Sequence, residues 1–259
     1  MNNIPTILHI CLYVIVFLYG IIIGSFLNVV VVRVPRGESI VKVRSHCENC
    51  GYQLKWFDLI PIFSYLFLGG KCRKCKTKIS AQHLIMEALN GILYVSTFFI
   101  AGVSLHTCLL CLLFSALLAL SIIDFKTYEI PVGFQYVIFA LAILQTVLDF
   151  SNWSEHVIGF FAVSVLLYLI YKISKGTAIG GGDVKLMAVC GLFIGWKLII
   201  LAFLLGCIVG SVVHILRMKL SGESHVLAMG PYLSVGVFVA ALWGEKILTW
   251  YLGILGITL

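Results

Sequence analysis

The sequence predicts an all-α polytopic membrane protein of about eight transmembrane helices, with a small cytosolic zinc-ribbon-like domain between the first two. Of its 259 residues, 61% are hydrophobic and only 11% are charged, whereas a soluble domain is about a quarter charged. Four cysteines form two close pairs within the one long polar segment. The net charge of +7 would suggest a nucleic-acid partner in a soluble protein, but here it indicates membrane topology.

Apolar runs of about 20 residues define the spans. They predict spans at 7–32, 83–102, 105–124, 131–149, 156–173, 184–196, 197–216 and 228–256. The sixth run is short and could merge with the seventh, which would leave seven spans. The first lacks a basic region before it and a small-residue cleavage site after it, so we expect it to be retained, not removed as a signal peptide.

The polar segment 33–80 carries ten Lys and Arg residues against three acidic ones. Because cytosolic loops are enriched in basic residues, we expect this segment to be cytosolic. With the eight spans, this orientation places sixteen of the eighteen Lys and Arg residues inside and both termini outside. The predicted domains are a first span at 1–32, a four-cysteine domain at 33–82 and a membrane core at 83–259.

The four cysteines of this segment have the spacing of a zinc ribbon. Cys47 and Cys50 form one C-x2-C pair, and Cys72 and Cys75 form the other. Four thiolates complete a tetrahedral zinc site of the structural kind. Two disulfides or free thiols are the alternatives, and a cytosolic location disfavours disulfides.

Two aspartates lie where predicted spans meet the cytosol. Asp124 ends the third span, and Asp183 follows Gly180, Gly181 and Gly182. An acid at the edge of an apolar span is costly and usually functional. Carboxyls that approach closely cannot both ionise easily, so they suit acid–base catalysis of the aspartic-protease type. The alternatives are a helix cap for Asp183, an interfacial acid for Asp124, or a proton relay in a transporter that uses both.

Several sequence blocks, taken in order, carry a family resemblance. Gly180–Leu186 matches a G-x-G-D motif, with Gly180, Gly182 and Lys185 supporting Asp183. The other blocks are 24–30, 33–35, 45–51, 56–61, 64–66, 70–75, 79–80 and 230–233. Together they closely resemble the type IV prepilin peptidases, which are bifunctional leader peptidases and N-methyltransferases. In one departure, Pro131 is followed by Val132, where many members have an aspartate or asparagine.

The resemblance implies that Asp124 and Asp183 are catalytic, that 83–259 is an aspartic peptidase core, and that zinc is bound by the four cysteines. It implies prepilin or pseudopilin substrates, which carry a short basic leader, a glycine and a long apolar helix. It also implies methylation of the new N-terminus by S-adenosylmethionine. The donor-binding residues are unknown from the sequence. Glu87 is the candidate, with a structural ion pair as the alternative.

The resemblance further implies a multi-pass protein of the bacterial cytoplasmic membrane, with the catalytic site and the zinc domain on its cytosolic side and no nucleic-acid partner. Two other classes compete with the peptidase. A proton-coupled transporter would need acids at mid-membrane and polar residues along several spans. A zinc-dependent adaptor without catalysis would leave the glycine-rich turn before Asp183 unexplained.

Overall fold

Helices account for the regular structure in a computed structural model, which describes residues 6–221, 227–254 and 256. Within these residues there is no β-strand, and two short 3-10 turns lie at Trp56–Leu59 and Phe150–Asn152. The helices, numbered in chain order, are α1 Thr6–Arg33, α2 Phe63–Phe67, α3 Ala81–Ala101, α4 Leu105–Thr127, α5 Val132–Leu148, α6 Trp153–Ala162, α7 Ser164–Ile173, α8 Gly181–Ile194, α9 Trp196–Ser221 and α10 Gly230–Ile254.

The predicted all-helical membrane fold is confirmed. Six described segments are long and apolar enough to cross a membrane, namely Ile7–Arg33, Ala81–Ala101, Leu105–Thr127, Phe150–Ile173, Trp196–Leu220 and Gly230–Ile254. The fourth and sixth predicted spans fall on the shorter helices α5 and α8, of 17 and 14 residues. The predicted locations of the two chain ends concern residues 1–5 and 257–259, which lie outside the described residues, as does residue 255 of the last predicted span.

The sixth predicted span is a helix of its own and does not merge with the seventh. Gly195 ends α8 with φ of 82°, and its amide donates to the Gly191 carbonyl at 2.9 Å. A residue in the left-handed region terminates a helix, and glycine adopts it without steric strain. Trp196 then begins α9. Because α8 is too short to count among the six described segments that could cross a membrane, the choice between seven and eight spans stays a prediction.

The described chain forms two compact units, within Met1–Ala119 and Leu120–Leu259. In the first unit, α1 and α3 pack closely in an antiparallel register. A methyl group on Gly20 would lie 2.7 Å from the Gly91 Cα, and one on Gly24 would lie 2.9 Å from the Glu87 Cα. Small residues at four-residue spacing let helix backbones approach in a membrane. The predicted domain limits at 32 and 82 are sequence boundaries and stay a prediction.

A buried polar network joins the helices of the first unit. The Asn90 side-chain amide donates to the Gly20 carbonyl at 2.7 Å. The Ser115 hydroxyl donates to Asn90 Oδ1 at 2.9 Å and lies 3.1 Å from the Tyr94 hydroxyl. Polar side chains inside a membrane bundle stabilise it when they bond between helices. This network therefore holds α1 and α4 against α3.

In the second unit, α8 is the central helix. It packs against α5, α6, α7, α9 and α10, and every residue from Leu186 to Gly191 is buried. The backbones of Gly159 in α6 and Gly191 in α8 are in direct contact. A helix that is apolar all round is typical of a core position. The helix that begins with Asp183 is thus held on several sides.

We expect Gly20→Ala to destabilise the protein, because its methyl group would meet the Gly91 backbone. Overpacking of this kind costs about 1–3 kcal/mol. The matched control is Gly133→Ala, also in a helix, where nothing lies within 4 Å of the added methyl group. Thermal unfolding of both variants in detergent checks this. An equal or higher midpoint for Gly20→Ala would contradict the packing described.

Candidate functional site

Asp124 lies one turn before the end of α4 and is buried, with 4% of its surface exposed. Its Oδ2 accepts a hydrogen bond from the Gly230 amide at 2.9 Å, across 106 residues. The chain leaves the helix at Tyr128, whose φ is 57° and whose amide donates to the Asp124 carbonyl at 2.8 Å. The last turn of α4 therefore presents Asp124 to the first residue of α10.

Asp183 lies in the first turn of α8, directly after the glycine-rich turn. Gly180 precedes the helix in an extended conformation, and its carbonyl accepts a hydrogen bond from the Asp183 amide at 3.2 Å. A side chain at either Gly180 or Gly182 would make a tight contact. A methyl group on Gly180 would lie 3.1 Å from Asp183 Oδ2, and one on Gly182 would lie 3.1 Å from the Ile130 Cβ. Within the described residues, Asp183 Oδ1 is buried and has no hydrogen-bond partner.

The structure brings the two aspartates into one unit, at the end of α4 and the start of α8. Gly182, next to Asp183, lies against Ile130 and accepts from Gln135, and Ile130 is six residues after Asp124 in the chain. One carboxylate oxygen is held by a backbone amide, and one oxygen of the other carboxyl lacks a partner among the described residues. An arrangement of two inequivalent carboxyls can accept a proton at one and donate a proton from the other. The catalytic roles of Asp124 and Asp183 stay a prediction.

Two residues near this pair escaped the sequence reasoning. Gly230 was noticed only as part of a motif, without its contact to Asp124. Gln135 in α5 was not singled out. It is buried, and its side-chain amide donates to the Gly182 carbonyl at 3.3 Å. An amide side chain in a largely apolar helix, which Gln135 shares with Gln145, was the available signal. Lys185, the third motif residue, has an exposed side chain.

The four predicted zinc ligands converge in the first unit. The sulfurs of Cys47, Cys50, Cys72 and Cys75 all lie within 4.8 Å of one another. Cys47 Sγ is 3.7 Å from Cys75 Sγ, and Cys50 Sγ is 4.0 Å from Cys72 Sγ. Four thiolates around zinc, at about 2.3 Å each, place their sulfurs about 3.8 Å apart. The donor set therefore fits a tetrahedral zinc ion and would hold it in a closed structural site.

The two C-x2-C turns have the same backbone design. The Cys47 carbonyl accepts from the Gly51 amide at 2.9 Å, and the Cys72 carbonyl accepts from the Lys76 amide at 3.0 Å. Both of these residues adopt the left-handed region, Gly51 with φ of 67° and Lys76 with φ of 60°. Each turn directs two sulfurs toward the same point. The second turn does so with a lysine in a conformation that favours glycine.

Hydrogen bonds prepare two of the thiols for ionisation. The Thr77 hydroxyl and then the Thr77 amide lower the pKa of Cys75 to about 5. The backbone amides of Cys50 and Asn49 lower the pKa of Cys47. Zinc binds the thiolate form, so a lowered thiol pKa extends metal binding to lower pH. These contacts come from the same turns that position the sulfurs.

An ion pair between a buried aspartate and a half-exposed arginine supports this segment. The Asp58 side chain, 2% exposed, accepts from Arg73 Nε at 2.7 Å and from the Tyr52 hydroxyl at 3.2 Å. Burial disfavours ionisation of Asp58, but the hydrogen bonds from Arg73 and the Lys55 amide outweigh it and hold its pKa below the ordinary value. This pair links the 3-10 turn at Trp56–Leu59 to the second cysteine turn.

Glu87 has a structural contact at the membrane end of this segment. Its Oε2 accepts from the Ile62 amide at 2.7 Å, and the residue is buried. The nearby Asn28 donates to the His83 carbonyl at 3.0 Å, while its buried Oδ1 has no partner within the described residues. Glu87 thus binds a backbone amide, which gives its carboxylate a structural contact. Its place in methyl transfer stays a prediction.

We expect the purified protein to contain zinc and Cys72→Ser to lose it. A structural zinc in a small domain supplies about 10–16 kcal/mol of apparent binding free energy, so the segment should also become protease-sensitive. The control is Cys108→Ser, which removes an exposed thiol of the C-x2-C pair in α4. Elemental analysis and limited proteolysis check both variants. Zinc retained in Cys72→Ser would contradict the proposed ligand set.

Comparisons with known proteins agree with the resemblance. A model of the bacterial peptidase A24 N-terminal domain matches residues 18–101, and one of the type IV leader peptidase family matches residues 111–215. No solved structure matches the chain.

Three relatives share the name prepilin leader peptidase/N-methyltransferase. That of Aeromonas hydrophila is 30% identical over 92% of each chain. That of Bacillus subtilis (strain 168) is 30% identical over 92% of this chain and 97% of its own. That of Myxococcus xanthus (strain DK1622) is 32% identical over 82% of this chain, which spans 64% of that relative. The predicted family is confirmed, and the chain belongs to the type IV leader peptidase family.

Proposed function

We propose that this protein is a membrane-embedded aspartic endopeptidase that removes the basic leader of type IV prepilins or pseudopilins. The observation that carries the proposal is that Asp124 and Asp183 lie in one unit, at the end of α4 and the start of α8, in a member of the leader peptidase family. The relatives bear the name of that activity.

The contacts of the two carboxyls suggest a division of roles. The Gly230 amide holds Asp124 Oδ2, and an N–H donor stabilises a carboxylate. We assign Asp124 as the base that takes a proton from water as the water oxygen attacks the scissile carbonyl carbon. Asp183 donates its proton to the carbonyl oxygen. Collapse of the tetrahedral intermediate then breaks the C–N bond, returns the hydroxyl proton to Asp183, and transfers the proton held by Asp124 to the leaving amine.

The position of the pair fits such a substrate. Asp124 is three residues from the end of α4, about 4.5 Å along the helix axis. Asp183 is in the first turn of α8. Both carboxyls are thus near helix ends, where a peptide bond between a basic leader and an apolar helix would lie. The excess of basic residues in 33–80 supports the cytosolic side and a bacterial cytoplasmic membrane location.

The transporter alternative gains no support. The family models and the relatives describe peptidases. Both acids lie close to helix ends, whereas a proton relay across the bilayer would need acids in the middle of the spans.

Methyl transfer is the second activity that we propose, because the relatives' shared name includes N-methyltransferase. S-adenosylmethionine would supply an electrophilic methyl group to the neutral amine released by cleavage. Glu87 lies where the cytosolic segment meets α3, next to the cytosolic end of α1. Its carboxylate would there accept a proton from the new N-terminal ammonium group and leave the neutral amine that methyl transfer requires, while its Oε2 holds the Ile62 amide.

Asp124→Asn and Asp183→Asn should each lower leader cleavage at least about a hundredfold, since each removes one proton-transfer group. The control is Asp149→Asn, at the opposite end of α5, where the side chain faces His156. Cleavage of a purified prepilin in detergent gives the rates. Substantial cleavage by either active-site variant would reject the dyad.

Gly230→Ala tests the positioning of Asp124. The added methyl group would lie 2.7 Å from Asp124 Oδ2, so the carboxyl must move. A displacement of about 1 Å can cost about a hundredfold in rate, and we expect this loss in kcat with little change in KM. Gly253→Ala in the same helix, with nothing within 4 Å, is the control. Equal kcat values for the two variants would show that the contact does not position Asp124.

The variants Glu87→Gln and Glu87→Ala distinguish a role of the Glu87 negative charge from a role of its hydrogen bond to the Ile62 amide. Glutamine keeps an oxygen that can accept from the Ile62 amide, whereas alanine removes it. If the charge serves methyl transfer, Glu87→Gln should lower methylation about tenfold or more and leave cleavage unchanged. Mass spectrometry of the mature pilin measures both. Normal methylation in Glu87→Gln, with losses only in Glu87→Ala, would assign Glu87 a supporting role alone.

A further inference from the structure

The segment Trp56–Phe67 exposes more apolar surface than a polar cytosolic domain requires. Trp56 is 78% exposed and Phe67 is 87% exposed. The exposed large apolar side chains of this segment are Trp56, Leu59, Ile60, Phe63, Leu66 and Phe67. We call these six side chains the apolar patch. A contiguous stretch of this kind marks an interaction surface.

One hydrogen bond determines the depth of the apolar patch relative to the membrane. The Ile62 amide, in the middle of the segment, donates to Glu87 Oε2 at 2.7 Å. Glu87 is six residues past Ala81, the first residue of a candidate span, which is about 9 Å along the helix axis. The interfacial region on each side of the hydrocarbon is about 5–8 Å thick. Even with Ala81 at the outer edge of this layer, Glu87 would lie at its inner edge, so the segment is attached at least as deep as the lipid headgroups.

The backbone is constrained to keep this position. Ile62 has φ of 62°, in the left-handed region that a β-branched residue rarely adopts. The Glu87 contact holds the amide of this same residue. In addition, the Tyr65 hydroxyl lies 3.4 Å from the Ile79 carbonyl, just before α3 begins. Two contacts thus fasten the segment to the entrance of the membrane helix.

Cations lie beside the aromatic end of the patch. Arg73 is 4.9 Å and Lys55 is 5.8 Å from the centre of the Phe57 ring, which packs edge-on against Trp56. Further exposed basic residues follow in the second cysteine turn, namely Lys71, Lys74, Lys76 and Lys78. Apolar and aromatic side chains bordered by cations are typical of a surface that lies in the headgroup layer of anionic lipids.

We propose that the apolar patch inserts into the headgroup layer of the adjacent leaflet and that the nearby cations contact anionic lipid phosphates. Continuity with α3 favours lipid over a protein partner, because the segment is held at membrane depth by Glu87. Trp56 and Phe67 protrude from the surface. Protruding side chains can enter a fluid lipid layer, whereas a helical protein partner would dock best into a groove. Through this contact the four-cysteine segment is held against the membrane.

Trp56 can report on its own surroundings. In the full-length protein, the other four tryptophans are replaced by phenylalanine and the variant is reconstituted in phosphatidylcholine vesicles with and without phosphatidylglycerol. We expect blue-shifted emission and quenching by lipids brominated near the glycerol, stronger with phosphatidylglycerol present. The positive control keeps only Trp250, a 68% exposed residue of the α10 span. Emission typical of water and quenching by iodide alone would overturn the proposal.

A second measurement leaves the tryptophans in place. Phe67 is replaced by the photoreactive residue benzoylphenylalanine in the otherwise unchanged chain, reconstituted in the same vesicles with a purified prepilin present. Illumination should yield protein–lipid adducts, detected by mass spectrometry. Adducts with the prepilin would overturn the proposal in favour of a substrate-docking surface. Absence of any adduct would overturn it in favour of exposure to water.

Discussion

Carboxyl groups in an apolar helical bundle must find polar partners, and this constraint organises the second unit. Asp124 obtains its partner from the Gly230 amide, which requires the chain to return to α4 at the start of its last helix. Asp183 lies after glycines whose missing side chains leave room for its carboxyl and for Ile130. Since an unpaired intramembrane acid costs several kcal/mol, the Gly230 contact accounts for the meeting of α4 and α10, whereas the glycine turn provides the space for Asp183 at the start of α8.

The four-cysteine segment solves a different problem, because about 48 residues are too few to build a stable core of their own. The four sulfurs, the Asp58–Arg73 pair and the Glu87–Ile62 hydrogen bond replace that core. The ion pair and the hydrogen bond are polar contacts, and the hydrogen bond also attaches the segment to the membrane helix α3. The segment can therefore expose apolar side chains such as Phe67 without unfolding, and membrane contact gives that exposure a physical reason.

Composition, motif order and local spacing predicted much of this protein. Apolar run length located all six described segments that are long and apolar enough to cross a membrane, and two C-x2-C pairs predicted the convergence of four sulfurs. Contacts between distant residues could not be predicted in the same way. The Gly230–Asp124 hydrogen bond joins residues 106 positions apart, and Glu87 contacts Ile62 through a backbone amide that carries no sequence signal. The separation of α8 from α9 results from the conformation of Gly195, which the sequence did not predict.

The central claim is that Asp124 and Asp183 act on the same carbonyl carbon. A prepilin-derived peptide whose scissile bond is replaced by a hydroxyethylene group mimics the tetrahedral intermediate, and transition-state analogues bind about 10²–10⁸-fold more tightly than substrates. Its affinity, measured for the wild-type protein and for both Asp→Asn variants, tests the claim without any turnover. The account predicts tight binding that is lost in each variant. Equal affinity in the wild type and either variant would contradict it.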